Sequence, residues 1–197
     1  MNKPYSESCD QNRDSILAVI EPILRNCSSL LEIGSGTGQH AVYFSQHLPQ
    51  IIWQTSDRIS FHEGINAWIN DSVAENVSPP LKLDVSSSDW PKQQYDAVFT
   101  ANTLHIMSET DVENFFTGVG DLLTTGSHLL IYGPFNYGGA YTSTSNESFD
   151  QWLKTQNASS GIKDFENVCT QAAGSDMNLV HDYTMPVNNR ILHFKKK

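Results

Sequence analysis

At Leu31-Glu32-Ile33-Gly34-Ser35-Gly36-Thr37-Gly38, a short apolar run gives way to a turn that contains three glycines. A helical pattern follows over residues 39–47, so the turn stands between a first strand and a first helix. Because glycine has no Cβ, such a turn lets the backbone come close to a ligand. The third glycine comes one residue earlier than in the dinucleotide pattern G-x-G-x-x-G, and no Lys-Ser or Lys-Thr pair marks a phosphate-binding loop. The turn therefore points away from a pyrophosphate ligand, and a tight turn without any ligand is the alternative.

Short apolar strands alternate with helical patterns on both sides of this turn. Strands are predicted at residues 29–33, 51–55, 81–83, 95–100 and 128–132, and helices at 16–24, 39–47, 61–69, 110–123, 147–154 and 164–173. Pro22 is expected to kink or divide the first helix.

The last two predicted strands, residues 179–185 and 190–194, are joined by Pro186-Val187-Asn188-Asn189. So short a connection requires an antiparallel hairpin, because parallel strands need a long crossover. The pattern as a whole predicts an α/β fold with a mainly parallel seven-stranded sheet, helices on both faces and an antiparallel C-terminal hairpin. This is the Rossmann-like class I methyltransferase fold, and 197 residues suit one such domain.

Two carboxylates follow the second and third predicted strands. They are Asp57 and Asp84, and Val85 stands next to the latter. Because ligands of open α/β sheets bind at the carboxyl ends of the strands, we expect both acids to share a site with the glycine turn. Asp57 could accept hydrogen bonds from two ribose hydroxyls, and Asp84 from an adenine amino group beside the apolar wall of Val85. Either acid alone could instead be a surface or capping residue.

The E-x-G-x-G-x-G form of the turn resembles motif I of enzymes that use S-adenosylmethionine, so this cofactor is predicted. The predicted cofactor-binding residues are Glu32, Gly34, Ser35, Gly36, Gly38, Asp57, Asp84, Val85, Asn102, Asn12 and Arg13. Glu32 could orient the ammonium group of the cofactor, and Asn102 could bond its methionine portion. Asn12 could reach in from an N-terminal lid, and Arg13 could pair with the cofactor carboxylate.

Nearly the whole chain resembles the methyltransferase-like protein 26 family. Besides Asn12, the similarity is carried by segments 31–40, 53–57, 83–85, 102–105, 132–135, 145–146, 149–150, 161–164 and 185–189. The resemblance implies the class I fold and S-adenosylmethionine binding, and it supplies no substrate. The chain departs from the family at Gln11, Ser15 and Ser160, where Arg, Pro and an aromatic residue are usual. These positions fall on the predicted lid and substrate side, so no substrate is carried over from relatives.

The pocket for the methyl acceptor is predicted from less specific sequence signals than the cofactor site. His105 follows the fourth strand and is a candidate general base, and the alternative is a structural residue or part of the cofactor wall. The acceptor pocket is expected between an N-terminal lid segment, about residues 1–26, and an insertion after the fifth strand, about residues 135–160. The candidate pocket residues are Tyr137, Tyr141, Asn146, Phe149 and Trp152. Aromatic and amide groups together suit a small polar molecule with an apolar part. The alternative is that Phe149 and Trp152 anchor the insertion to the core.

Charge and composition limit the classes of partner that the protein is expected to bind. Asp and Glu outnumber Lys and Arg by 22 to 12, and the net charge of −10 disfavours nucleic acid and anionic membranes. No signal-peptide pattern and no membrane-spanning run of roughly 20 apolar residues is seen. The three cysteines are far apart, which favours a cytoplasmic protein, and no metal site is expected because no ligand cluster has suitable spacing.

The predicted function is therefore an S-adenosylmethionine-dependent methyltransferase with a small-molecule acceptor. The Asn/Asp-Pro-Pro-aromatic signature of adenine or glutamine amino methylation is missing after the fourth strand, and no Pro-Cys nucleophile is present. A module that binds S-adenosylmethionine without transferring the methyl group remains the alternative. A nicotinamide-dependent oxidoreductase is disfavoured by the Gly38-Gln39 spacing.

Overall fold

A computed structural model describes residues 3–87 and 89–197. Met1 and Asn2, with which the predicted lid segment begins, lie outside the described residues. The strands are Ser29–Ile33 (β1), Ile52–Asp57 (β2), Val77–Lys82 (β3), Tyr95–Ala101 (β4), Leu123–Gly133 (β5), Phe135–Asn136 (β6), Lys163–Asp164 (β7), Met177–Thr184 (β8) and Arg190–Lys196 (β9). The helices are Glu7–Leu24 (α1), Gln39–His47 (α2), His62–Asn70 (α3), Glu109–Leu122 (α4), Thr144–Gln156 (α5) and Phe165–Gly174 (α6).

Seven of the strands form one sheet in the order β3-β2-β1-β4-β5-β9-β8. Neighbours from β3 to β5 pair in parallel, whereas β9 pairs antiparallel with both β5 and β8. Strands β6 and β7 form a separate short parallel pair. The predicted seven-stranded sheet with an antiparallel C-terminal hairpin is confirmed.

The strand order reverses at β1, which lies between β2 and β4. Chain connections leave β1 and β4 in opposite directions across the sheet, so a crevice opens beyond their carboxyl ends. The glycine turn follows β1, and Asp57 closes β2 at the same edge. The topology therefore brings together the residues that were predicted to share a site.

Helices cover both faces of the sheet, as the buried side chains of β1 illustrate. Leu31 packs in a core with Phe115 and Phe116 of α4, and Leu30 packs in a second core with Ile20 of α1 and Phe44 of α2. Residues one apart in a strand point to opposite faces, and β1, which is buried on both faces, has apolar side chains at Leu30, Leu31 and Ile33. No helix of the described residues is long and apolar enough to cross a membrane.

Several elements differ from the sequence prediction: α1 begins at Glu7, β5 begins at Leu123, and β6 and β7 were not predicted. Three further differences have a clear physical reason. Helix α1 is not divided at Pro22, because this proline lies in the last turn, where the missing N–H removes a bond only near the helix end. Strand β3 begins at Val77 and includes Pro79 and Pro80, which are tolerated because β3 is an edge strand. Helix α5 begins three residues early, since the Ser143 hydroxyl accepts a hydrogen bond from the Asn146 N–H and caps it.

The connection from β8 to β9 is a tight turn that projects beyond the sheet. Within it, Val187 and Asn188 both have left-handed backbone conformations, with φ of +57° and +58°. The turn closes through a 2.9 Å hydrogen bond from the Met185 N–H to the Asn189 carbonyl oxygen. A β-branched residue such as Val187 rarely adopts a positive φ, so this turn holds local strain.

Candidate active site

The three glycines of the turn have three different structural roles. All three have positive φ, but a Cβ on Gly34 would lie 2.9 Å from the Thr103 side chain, and one on Gly38 would lie 3.0 Å from the Ile65 backbone. A Cβ on Gly36 would meet nothing within 4 Å. Gly34 and Gly38 therefore permit close packing, and Gly36 leaves an open stretch of backbone.

Asp57 connects the turn to the end of β2. Its Oδ2 accepts a 2.8 Å hydrogen bond from the Gly36 N–H, and its Oδ1 accepts one of 2.7 Å from the Arg58 N–H. Burial raises the pKa of the carboxyl, and the two backbone donors oppose that rise. The carboxylate thus holds the turn in place and can accept further hydrogen bonds from a ligand.

Asp84 lies just beyond β3 and is more exposed to solvent. Its Oδ1 accepts hydrogen bonds from the backbone N–H and the hydroxyl of Ser86, at 3.1 and 2.8 Å. These bonds lower the pKa of the Asp84 carboxyl, which is therefore ionised at neutral pH. Within the described residues, no group donates to its other oxygen, Oδ2.

A cavity of about 420 Å³ lies at these strand ends, and we call it the glycine-turn cavity. Six predicted cofactor residues line it, namely Gly34, Gly36, Asp57, Asp84, Val85 and Asn102. The cavity has a second group of lining residues that were not predicted from the sequence, namely Ile33, Arg58, Phe61, Leu83, Ser86, Ala101, Thr103, Ile106, Met107 and Asp111. Phe61 and Ile106 are exposed apolar side chains at the edge of this cavity. In the sequence, only their proximity to the motif residues could have indicated that they belong to the site.

Three predicted cofactor residues, Glu32, Ser35 and Gly38, lie outside this cavity. Glu32 is buried under the turn, where its carboxylate accepts a 3.2 Å hydrogen bond from the Trp53 indole N–H. Burial raises the pKa of Glu32 to about 7. The Ser35 hydroxyl accepts a hydrogen bond from the Ser56 N–H. In this structure these residues support the turn and do not border its cavity, because strand β2 packs directly against the turn.

The two predicted residues of the N-terminal segment also lie elsewhere. Arg13 forms an ion pair with Asp10 and packs over the ring of Tyr43, so it does not reach the glycine-turn cavity. Asn12 places Oδ1 2.7 Å from Nε2 of His40. The same helix that buries Ile16 and Ile20 turns Asn12 toward a second cavity and Arg13 toward the surface.

This second cavity, of about 440 Å³, lies between the start of α1, helix α5 and the turn from β8 to β9, and we call it the His105 cavity. Among the predicted residues, His105, Asn146, Phe149, Asn12 and Asn102 line it. Its other lining residues are Ser8, Gln11, Ser15, Tyr132, Pro134, Ser145, Pro186, Val187 and Asn189. Apart from Asn146, which was a candidate pocket residue, segments 132–135, 145–146 and 185–189 had been singled out in the sequence only as family motifs.

His105 occupies a short turn directly after β4 and is only 8% exposed. Its ring meets that of Phe149 edge to face, with centroids 5.1 Å apart. Burial, together with the Lys163 charge, lowers the pKa of His105 to about 4, so the imidazole is neutral at physiological pH. Neither ring nitrogen has a hydrogen-bond partner among the described residues.

Tyr137, Tyr141 and Trp152 do not line the His105 cavity. The Tyr137 hydroxyl donates to Asp182 at 2.8 Å, and the Tyr141 hydroxyl donates to Asp150 at the same distance. Trp152 is 55% exposed and stacks on Phe149. Each ring is held against its own neighbours, so these residues frame the insertion and leave Asn146 and Phe149 to face the cavity.

Asn102 lines both cavities. Its φ is +57°, and its N–H donates a 2.9 Å hydrogen bond to the Tyr132 carbonyl oxygen. Asparagine adopts this left-handed conformation more readily than most residues do. The turn after β4 therefore places one amide at the boundary of the two cavities.

Neither cavity has a metal-binding cluster among the described residues. Across residues 3–87 and 89–197, no group of three or more His, Cys, Asp or Glu side chains is arranged to hold a metal ion.

The chain belongs to the family described as "Protein of unknown function (DUF938)", whose model matches residues 3–196. The resemblance to the methyltransferase-like protein 26 family stays a prediction beside this match.

Several solved methyltransferases have the same fold. Mitomycin 7-O-methyltransferase MmcR aligns with a TM-score of 0.84 at 13% identity, over 96% of this chain and 54% of that one. The S-adenosylmethionine-dependent methyltransferase SibL, in its apo form, aligns at 0.81 and 18% identity, over 96% and 55%. Human N-acetylserotonin methyltransferase, in complex with S-adenosylmethionine, aligns at 0.80 and 12% identity, over 96% and 53%. The chain spans about half the length of these proteins, and the likeness establishes the class I methyltransferase fold.

Proposed function

We propose that this DUF938 protein is an S-adenosylmethionine-dependent methyltransferase that acts on a small-molecule acceptor. The observation that carries the proposal is the shared wall at Asn102, where the glycine-turn cavity meets the His105 cavity. Methyl transfer needs a cofactor and an acceptor that are held in line, and two adjoining cavities suit that requirement.

The residues of the glycine-turn cavity fit the cofactor. Gly36 offers open backbone, Asp57 can accept from ribose hydroxyls, and Oδ2 of Asp84 is available for an adenine amino group. Phe61 and Ile106 supply an apolar edge for the adenine ring. The volume of about 420 Å³ lies within the usual range for cofactor sites.

His105 is the candidate catalytic base in this scheme. S-adenosylmethionine, when bound, supplies a methyl carbon activated by a positively charged sulfur. The lone pair of the acceptor atom forms the new bond to that carbon, and the electron pair of the broken carbon–sulfur bond stays with sulfur. His105 takes the proton that the acceptor atom releases, since its imidazole is neutral and its nitrogens have no other described partner.

The N-terminal helix and the insertion form the lid in this proposal. Gln11, Asn12 and Ser15 of α1 lie on one side of the His105 cavity, and Ser145, Asn146 and Phe149 of α5 lie on another. Together they exclude water from the acceptor, so that water does not compete with the acceptor for the activated methyl group.

Calorimetry with S-adenosylmethionine, S-adenosylhomocysteine and NAD tests the cofactor half. We expect both sulfur compounds to bind and NAD to bind more weakly, and tighter NAD binding would contradict the proposal.

Incubation with methyl-labelled S-adenosylmethionine and a cell extract tests the acceptor half. We expect label in a small molecule and slower transfer by His105→Gln, whereas cofactor binding without any transfer would favour the non-catalytic module.

A further inference from the structure

The His105 cavity is lined without a single formal charge among the described residues. The glycine-turn cavity, in contrast, has Asp57, Arg58, Asp84 and Asp111 in its wall. The titratable groups of the His105 cavity are His105 and Tyr132. Burial lowers the pKa of the former and raises that of the latter, so both are uncharged at neutral pH.

Buried charged side chains next to this cavity are already neutralised within the protein. Asp150, which follows Phe149, is paired with Lys154 at 2.6 Å. Lys163, which is 5% exposed, donates to the Met107 carbonyl oxygen and lies 3.2 Å from the Glu109 carboxylate. Neither charge is left over to compensate a charge on a ligand.

The hydrogen-bonding groups that face the cavity are neutral and have specific capacities. The amide nitrogen of Asn146 donates to Thr142 and Asn188, so its Oδ1 remains as an acceptor. Tyr132 also lines the cavity, and its hydroxyl can both donate and accept a hydrogen bond. His105 adds an unpartnered ring nitrogen, and its side chain is more than nine-tenths buried.

Apolar surface completes the wall. Pro134, Phe149, Pro186 and Val187 contribute rings and methyl groups to the cavity. Moving an ion from water into such a site without a counter-ion is costly, whereas a neutral hydroxyl finds both a donor and an acceptor. The lining thus favours uncharged ligands over anions and cations of similar size.

We infer that the His105 cavity selects an uncharged, hydroxyl-bearing small molecule with an apolar ring-sized part, and excludes carboxylates and ammonium compounds. This inference rests on the proposed function, because it names the acceptor class of that same site.

The test uses three ring compounds that differ mainly in charge: methyl 4-hydroxybenzoate, 4-hydroxybenzoate and tyramine. Affinities are measured by calorimetry or ligand-observed NMR on the full chain, with and without S-adenosylhomocysteine. We expect the neutral ester to bind at least about tenfold more tightly than either ion. Equal or tighter binding of an ion overturns the inference, and so does a failure of all three compounds to bind.

A charge placed in the cavity wall tests whether the lining of the His105 cavity determines the preference for uncharged ligands. Ser145 lines the cavity from the exposed start of α5, so Ser145→Arg adds a cation without disturbing the core. We expect about a tenfold gain in affinity for 4-hydroxybenzoate and none for tyramine, while the matched neutral variant Ser145→Gln keeps the original order. An unchanged affinity for the anion in Ser145→Arg overturns the inference. Cofactor binding and transfer of the label are measured in separate experiments. A failure of the proposed function is therefore distinguished from a failure of this inference about the acceptor class.

Discussion

The backbone N–H of Gly36 donates a 2.8 Å hydrogen bond to Oδ2 of Asp57. This contact ties the turn after β1 to the last residue of β2, across 21 positions of sequence. One carboxylate therefore shapes the turn and also faces the cavity that the turn borders.

Asp57→Ala should weaken S-adenosylmethionine binding by roughly 1.5 to 3 kcal/mol, because hydrogen bonds to a charged group contribute that much. Calorimetry measures the loss. Asp121→Ala, at an exposed position on α4, is the matched control and should leave the affinity unchanged. A folded Asp57→Ala protein with normal affinity would remove Asp57 from the cofactor site.

Gly36→Ala and Gly38→Ala should separate binding from stability. Both place alanine at a positive φ, which costs about 1 to 2 kcal/mol. Only the Gly38 variant adds a Cβ 3.0 Å from the Ile65 backbone, so it should lose more stability in urea denaturation. Gly36→Ala should lose cofactor affinity, since Gly36 lines the cavity. The reverse pattern would mean that the two glycines have been assigned the wrong roles.

Glu32→Gln should change how stability depends on pH. Burial raises the pKa of Glu32 to about 7 from an ordinary value of 4.5, so the folded state holds a proton that the unfolded state releases between these values. Stability from this group is therefore present below pH 4.5 and is lost as the pH rises to 7. The variant should avoid that loss, on the order of 3 kcal/mol, when urea denaturation is compared at pH 4.5 and 8. Glu147→Gln, exposed on α5, should follow the wild type, and a Glu32→Gln protein that did so too would refute the assignment.

Asp150→Ala should loosen the insertion without touching the cofactor. Asp150 is 1% exposed and accepts hydrogen bonds from Lys154, the Tyr141 hydroxyl and the Ile162 N–H. Removing the carboxylate leaves the buried Ile162 N–H without its acceptor, which costs about 1 to 3 kcal/mol, whereas Tyr141→Phe, which removes one bond, should cost about 0.5 to 1 kcal/mol. Cofactor affinity should stay normal in both variants. Equal stabilities would show that Asp150 does not hold the insertion.

The sequence was sufficient for the architecture because local signals and global topology agree. The glycine turn marks where β1 ends, and the short link at residues 185–189 allows only a hairpin. Asp57 and Asp84 could be placed at one edge because the carboxyl ends of parallel strands meet there.

The finer assignments could not be settled from the sequence where a distant residue decides the role of a side chain. Gly38 serves packing because Ile65 of α3 approaches it, and no local pattern reveals that approach. Arg13 and Tyr137 are engaged by Asp10 and Asp182, so their charge and hydroxyl groups are not free for a ligand. The wall formed by Pro186 and Val187 was missed because both residues belong to an exposed hairpin turn, and only the fold shows that this turn also lines the His105 cavity.

The turn from β8 to β9 also constrains how the protein can evolve. Strand β9 sends Ile191 to one core and Leu192 and Phe194 to the other, so inserting or deleting one residue in the turn would exchange its two faces. Descendants of this sequence can therefore alter this side of the His105 cavity by substitution and not by a change of length. The exposed residues 139–142, before α5, belong to no strand of the seven-stranded sheet, so a change of length there shifts no strand register. New acceptors should accordingly arise through length variation on the α5 side, opposite a turn of fixed size.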